Sequence, residues 1–157
     1  MKTLTLLLLA ILIGSRLSGT MPHLFVQKAV QVNTEAVAIP TPTPSRPEMV
    51  YELAKGFEQY GTDVMNESFD VAKNESGWRH DAQGWNCIYD GKSQACKAQD
   101  RHLAWSVDCG LMQISVKGTV CPKELFDIKV NVRKAVAMYE RRGWSPWVAA
   151  RSLGYVR

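Results

Sequence analysis

The sequence has no hydrophobic run long enough to span a bilayer comfortably. Its most apolar stretch, from Thr3 to Ile13, is about ten residues long and follows a lysine at position 2. A charged start before such a stretch is typical of an export signal, but no clean small-x-small cleavage site follows it. Residues 1–19 are therefore predicted to be either a signal peptide or an uncleaved N-terminal membrane anchor. The chain is expected to be exported: secreted, periplasmic or anchored to the outer face of the cytoplasmic membrane.

The sequence also lacks a strong excess of charge. From Arg46 onward it contains 16 Lys+Arg and 14 Asp+Glu, an excess of only +2. Nucleic-acid-binding domains usually carry a much more basic surface, so we expect no nucleic-acid partner. A mildly basic surface does suit an anionic polymer.

Close cysteine pairs of the kind found in structural zinc sites are absent as well. The four cysteines have the spacing Cys-x8-Cys-x12-Cys-x11-Cys, and the three histidines add no ligand pattern, so no metal or cofactor is expected. An even number of cysteines in an exported chain favours two disulfides, although three connectivities are open. We favour the pairs that close short local loops, Cys87 with Cys96 and Cys109 with Cys121.

Beyond the leader, residues 20–45 show no sustained periodicity and end in a proline-rich stretch, which indicates a disordered linker. Ser45 and Glu48 match a capping box that opens a helix, so the folded domain is expected to span residues 46–157. A single compact domain suits this length and a hydrophobic content of 46%. We expect it to be a monomer.

Helical periodicity dominates this domain, so the predicted fold class is mainly α, or α+β. Thr62 is predicted to cap the second helix, and Ser145, followed by Pro146, is predicted to cap the last one. Residues 81–108 are rich in Gly, Asn, Asp and Gln and would suit a hairpin or an ordered loop stapled by the disulfides. The helices before the last one are predicted at about 47–60, 63–75, 109–115, 122–126 and 129–142.

Glu75 lies at the end of the second predicted helix, on its apolar face. At about 100° per residue it projects into the arc formed by Val64, Met65, Ser68, Val71 and Ala72. Burial and the C-terminal end of the helix dipole both oppose a negative charge, so the pKa of Glu75 is expected to be raised. A carboxyl that stays protonated can donate a proton to a leaving group. The alternative is a glutamate that bends out into solvent.

Three motifs occur in the order seen in soluble lytic transglycosylases, the lysozyme-fold enzymes that cut peptidoglycan. They are Glu75-Ser76-Gly77, then Gly110-Leu111-Met112-Gln113-Ile114, then Leu125-Phe126-Asp127 with Asn131-Val132-Arg133. The resemblance covers roughly Val64 to Gly154 and implies a lysozyme-like fold with Glu75 as the general acid. It also implies that Ser76 and residues 110–114 line the sugar groove, that Gln113 contacts substrate or supports Glu75, and that Asn131 belongs to the structural frame.

The C-terminal part departs from that family. Arg151 and Ser152 stand where a Tyr and an Asn are usual, and the stretch from Trp147 to Ser152 instead resembles the C-terminal helix of animal-type lysozymes. Residues 106–115 are similar to their segment around the second carboxylate, which would place Asp108 at that position. Asp108 would then act with Glu75, unless it only caps a following helix.

Aromatic residues are numerous for a domain of this size, with five tryptophans in the chain. Trp144 and Trp147 are expected to belong to the core. Trp85, Tyr89 and Trp105 lie in the irregular section beside the presumed groove and are candidates to stack on sugar rings.

The sequence therefore predicts a glycosidase that cleaves the β-1,4 bond between N-acetylmuramic acid and N-acetylglucosamine in peptidoglycan glycan strands. Lytic transglycosylation, which forms 1,6-anhydromuramic products, is the first interpretation. One alternative is hydrolysis by Glu75 and Asp108, as in a lysozyme. The other is a peptidoglycan-binding module that has lost catalysis.

Overall fold

The structure, a computed structural model, describes residues 42–156, which all fall within one compact unit. The predicted export signal and most of the predicted linker lie outside the described residues. Helices and a small antiparallel sheet make this part α+β. The helices are α1 (Arg46–Phe57), α2 (Thr62–Ser76), α3 (Ile128–Arg142) and α4 (Val148–Ser152), and the strands are β1 (Gln83–Tyr89), β2 (Lys92–Ala95), β3 (Ser106–Cys109) and β4 (Ile114–Lys117).

The folded part begins where the capping box predicts. The Ser45 hydroxyl accepts the Glu48 N–H at 3.4 Å, and the Glu48 carboxylate accepts the Ser45 N–H at 2.6 Å. Asp127 caps α3 in a similar way, because its carboxylate accepts the Val130 N–H. Both helices start at residues whose side chains satisfy free backbone donors.

Two predicted caps are wrong. Thr62 is the first residue of α2, and the cap position before it belongs to Gly61, whose φ of 93° suits only glycine. The last helix begins at Val148 after Trp147, not after Ser145. The Ser145 hydroxyl instead donates to the carbonyl oxygen of Arg142, so it closes the turn that follows α3.

The helix predicted at about 109–115 is also wrong. Strand β3 ends at Cys109, a turn follows, and β4 begins at Ile114 and pairs with β3. Gly110 and Gln113 have φ values of 76° and 46°, which break a helix and reverse the chain. The segment near 122–126 is a short 3-10 helix, Lys123–Phe126, rather than an α-helix.

The predicted hairpin is present within a four-stranded antiparallel sheet of order β2-β1-β3-β4. Asp90 and Gly91 form its two-residue loop, and both have positive φ, as a tight hairpin turn requires. The favoured disulfide pairing is confirmed, with Cys87 bonded to Cys96 and Cys109 bonded to Cys121. Two disulfides indicate an oxidising compartment, in agreement with export. None of the helices described in residues 42–156 has the length and apolar character needed to cross a membrane.

The core lies where α1, α2 and α3 meet the turn between β3 and β4. Phe57 from α1 is fully buried, and its ring stacks on Trp144 with ring centroids 5.4 Å apart. Trp144 contacts Trp147 edge-on, and both are almost fully buried, as predicted. The tryptophans of the 144–147 segment therefore anchor α4 on the rest of the helices.

Candidate active site

Glu75 lies in the last turn of α2, half-buried and turned towards α4. Its Oε1 accepts a hydrogen bond from the backbone N–H of Ala149, at 2.9 Å. Helix α2 ends immediately afterwards, because Gly77 and Trp78 both have left-handed backbone conformations. The carboxyl is thus held by an element 74 residues further along the chain.

The pKa of Glu75 is raised above its ordinary value. Burial is the largest cause, since removing the carboxylate from water penalises its charge, and the nearby charge of Asp108 acts in the same direction. Hydrogen bonds from the Ala149 and Val148 backbone and the positive charge of Arg151 lower the pKa and oppose this effect in part. The net effect extends the protonated form towards neutral pH.

Asp108 lies in β3, between Gly84 on β1 and Ser115 on β4. It is half-buried, and its Oδ2 accepts a hydrogen bond of 2.8 Å from the Asn86 amide. The segment directly after β3 is a turn that leads into β4, so the alternative that Asp108 caps a helix is wrong. The hydrogen bond from Asn86 fixes the orientation of the carboxylate.

Glu75 and Asp108 line the same cavity, which has a volume of about 450 Å³. The cavity is bounded on one side by the sheet and on the other by the ends of α2 and α3 and by α4. Its sheet side consists of Asn86, Ser93, Trp105, Ser106, Asp108, Gln113 and Ser115, and its helical side of Glu75, Met138, Arg142, Arg151 and residues 145–148.

Four of the predicted site residues meet in this cavity: Glu75, Asp108, Gln113 and Trp105. Trp105 is 48% exposed, with its indole N–H directed to the Ser93 hydroxyl, so a large part of its ring is open to a ligand. An aromatic side chain that is half exposed at the rim of a cavity can stack on a sugar ring.

The other residues predicted for the groove do not line the cavity. Leu111 and Met112 are fully buried, and Ile114 and Gly110 are buried beside them. The buried Ser76 hydroxyl donates to the Ala72 carbonyl in its own helix. Leu111, Met112 and Ile114 therefore belong to the core beneath the cavity and not to its wall.

Trp85 and Tyr89 also have other contacts. The Trp85 indole donates to the Thr119 carbonyl, and the Arg101 guanidinium lies 4.4 Å from the centre of the Trp85 ring. The Tyr89 hydroxyl donates to Asp100 at 2.6 Å. Neither aromatic residue is part of the cavity wall in this structure.

Asn131 holds the turn that follows Asp108. It is fully buried; its Oδ1 accepts the Met112 N–H, and its Nδ2 donates to the carbonyl oxygens of Cys109 and Leu125. The side chain is therefore fully satisfied and ties α3 to the turn, in agreement with a role in the structural frame. A Cβ at Gly110 would collide with Leu125 and with this amide, so only glycine fits there.

Gln113 serves the same turn with its amide nitrogen, which donates to the carbonyl oxygens of Ala82 and Gly110. Its amide oxygen lies near Gly84, where an added Cβ would be 3.2 Å from that oxygen and 4.0 Å from Asp108 Oδ2. Gly84 therefore leaves room for the two polar groups at the floor of the cavity.

Sequence reasoning missed Asn86, Arg142 and several serines of the cavity, and it noted Arg151 only as a departure. Alternation along β1 is the signal that identifies Asn86, because Asn86 lies on the same face of the sheet as Gly84, whose partner in the sheet is Asp108. Residues 81–108 were expected to be irregular or a hairpin, so no face could be assigned.

Among the residues that the structure describes, no group of three or more His, Cys, Asp or Glu side chains could hold a metal ion. Comparison with known proteins finds no matching family model, no matching curated protein and no matching solved structure.

Proposed function

We propose that this chain cleaves the β-1,4 bond between N-acetylmuramic acid and N-acetylglucosamine in peptidoglycan, with Glu75 as the general acid. The observation that carries this proposal is a half-buried carboxyl of raised pKa in a cavity that also holds a second carboxylate. A pair of carboxyl groups in one cavity is typical of glycosidases. We further propose that the α+β architecture, with its small sheet facing the end of α2, is a lysozyme-like fold.

In the first step the protonated Glu75 carboxyl gives its proton to the glycosidic oxygen. The bond from that oxygen to C1 of the muramic acid breaks, and positive charge develops at C1. The N–H of Ala149, which binds Oε1 of Glu75, orients the carboxyl and stabilises the carboxylate that remains.

Lytic transglycosylation is the first candidate for the second step. The Glu75 carboxylate takes the proton from the C6 hydroxyl of the muramic acid, and the C6 oxygen bonds to C1, closing a 1,6-anhydro ring without water. A single acid and base is sufficient for this reaction, and the ordered motifs around Glu75, Gly110 and Asn131 support it.

Hydrolysis is the second candidate, and the position of Asp108 favours it. The Asp108 carboxylate, held by Asn86 in the same cavity, can stabilise the charge at C1 or bond to C1 as a nucleophile. Glu75, now a carboxylate, would then deprotonate a water molecule that attacks C1. This route gives reducing-end products.

The test is mass spectrometry of the products that the whole chain releases from purified peptidoglycan. Products lighter by one water indicate transglycosylation, and reducing-end products indicate hydrolysis. Glu75→Gln is expected to lower the rate of either reaction by about 10²-fold or more, because general acid catalysis typically contributes that much. Asp108→Asn should abolish the hydrolytic products but leave anhydro products detectable.

A binding module without catalysis remains the competing hypothesis. In that case neither product appears, while the chain still sediments with peptidoglycan. This result would contradict the proposed reaction and assign the cavity to glycan binding alone.

A further inference from the structure

Two arginines face the catalytic cavity from its helical side. Arg142 is the last residue of α3 and Arg151 lies in α4; both are exposed, and both line the cavity that holds Glu75 and Asp108. We propose that this arginine pair binds a carboxylate on the glycan, so that the cavity selects anionic glycans over neutral ones. The inference rests on the proposed function, since it assigns a substrate class to the same cavity.

Ser145 connects the two arginines. Its hydroxyl and its backbone N–H both donate to the carbonyl oxygen of Arg142, at 2.9 Å and 3.4 Å. Its own carbonyl oxygen accepts Nη1 of Arg151 at 2.7 Å. The turn after α3 thus fixes Arg151 relative to the end of the helix. A guanidinium has five N–H donors, so Arg151 retains several for a ligand.

The cavity contains two acidic and two basic side chains. Glu75 and Asp108 are its only acidic lining residues, and Arg142 and Arg151 its only basic ones, within residues 42–156. Asn86 already satisfies one oxygen of Asp108, and the raised pKa of Glu75 favours its neutral form. With Glu75 protonated, the two arginines exceed the remaining carboxylate by one positive charge.

The Arg142 side chain has no partner within residues 42–156. Within the described part of the chain its guanidinium makes no hydrogen bond or ion pair. Arg151 differs in this respect, because its positive charge acts on the pKa of Glu75. Arg142 further lines a neighbouring cavity of about 370 Å³, so its side chain lies at the junction of two open spaces. An unpaired guanidinium at such a junction is available to a branch of the substrate.

A carboxylate is the group that fits two guanidinium groups best, because arginine binds carboxylates through parallel hydrogen bonds. Peptidoglycan offers this group in two places. The lactyl side chain of muramic acid carries one where no peptide is attached, and an attached peptide carries its own carboxylates. Oligomers of N-acetylglucosamine have the same backbone without any carboxylate.

The experiment measures binding by calorimetry to the whole chain carrying Glu75→Gln, which prevents cleavage. The ligands are a muramic acid glycan without peptide, the same glycan with peptide, and a neutral N-acetylglucosamine oligomer of equal length. Adding Arg142→Gln or Arg151→Gln should weaken binding of a carboxylate ligand about tenfold. Binding of the neutral oligomer should stay within about twofold, and the carboxylate ligand that loses affinity identifies the source of the group.

Arg141→Gln is the matched control, since Arg141 is adjacent and exposed but does not line the cavity. Arg142→Lys should restore only part of the selectivity, because an ammonium cannot bind a carboxylate in the bidentate manner. Selectivity should also fall as salt concentration rises.

The proposal is overturned if the two arginine substitutions affect all three ligands equally or affect none of them. Cleavage by the wild-type chain together with that result would leave the proposed function standing and this inference wrong. Selective binding of carboxylate glycans without any cleavage would support this inference and contradict the proposed function. If no ligand binds and none is cleaved, both fail.

Discussion

At the scale of single residues, two nearby charges of opposite sign act on the pKa of Glu75. Asp108 raises its pKa and Arg151 lowers it, while burial supplies the larger upward shift. In the proposed reaction the acid form of Glu75 donates the proton, so we expect activity to be lost as pH rises through the pKa of Glu75. The position of this alkaline limb therefore reports the electrostatics of the cavity.

We expect Asp108→Asn and Arg151→Gln to move the alkaline limb in opposite directions. Removing the negative charge of Asp108 lowers the pKa of Glu75 and shifts the limb to lower pH. Removing the positive charge of Arg151 raises that pKa and shifts the limb to higher pH. The measurement is kcat/KM against pH on a soluble glycan, with Arg141→Gln as the control; shifts of the same sign would contradict this account.

The raised pKa of Glu75 also predicts how stability depends on pH. Because the folded state has the higher pKa, the contribution of Glu75 to stability is fully present below its unfolded pKa and is lost as pH rises through its folded pKa. Glu75→Gln keeps an acceptor for the Ala149 N–H but cannot ionise. We therefore expect the Tm of Glu75→Gln, relative to wild type, to increase between pH 4 and pH 8.

Thermal unfolding across that pH range is the check. Glu58 is exposed and lies in the short 3-10 helix Glu58–Tyr60 that follows α1. Glu58→Gln therefore gives the baseline for removing one negative charge. A Tm difference for Glu75→Gln that shrinks as pH rises would show that the folded protein stabilises the carboxylate, contrary to our reading.

At the scale of elements, the turn between β3 and β4 depends on one side chain from α3. Asn131 forms hydrogen bonds with one backbone N–H and two carbonyl oxygens of fully buried residues. Gly110 allows the close approach that these bonds require. The turn positions Asp108 and Gln113, so α3 helps to shape the cavity through Asn131.

Asn131→Ala is expected to lower the free energy of unfolding by about 3 kcal/mol or more, because three buried backbone groups lose their partner. Urea denaturation measures the loss. The control is Asn74→Ala, whose exposed side chain makes one bond to the Asp70 carbonyl and should cost less than about 1 kcal/mol. Equal losses for the two variants would mean that the turn does not rely on Asn131.

At the scale of the whole molecule, the two disulfides staple the part with the least helical support. Cys87–Cys96 joins β1 to the end of the hairpin, and Cys109–Cys121 closes a loop that begins directly after Asp108. By the loop-entropy model each contributes about 2 to 3 kcal/mol. Their effects on the cavity should differ, because only the second adjoins the turn held by Asn131.

Replacing both cysteines of either pair with alanine should lower the Tm by about 10 °C. We expect the Cys109–Cys121 variant also to lose most of its glycan cleavage, while the Cys87–Cys96 variant retains it below its own Tm. Thermal unfolding and product release, measured on the same samples at 20 °C, test this. Equal activity in the two variants would show that cleavage does not depend on the Cys109–Cys121 loop.

Helices α1, α2 and α3, the capping box at Ser45 and the cysteine pairing follow from short-range patterns. Capping chemistry acts over three residues, apolar periodicity over a turn, and short disulfide loops over about ten residues. The half-buried position of Glu75 also follows from a short-range pattern, because the residues one and two turns before it show that it lies on the apolar face of α2.

Tertiary structure alone decided the composition of the cavity. Strands β3 and β4 are four residues each, too short for a pattern that distinguishes them from a helical turn, and their pairing depends on the reversal at Gly110 and Gln113. Asn86 meets Asp108 across 22 residues, and Ala149 meets Glu75 across 74. The sequence by itself therefore determined which carboxyl lies on a buried helix face, whereas packing determined which groups tune and surround it, because those contacts join segments that no local rule relates.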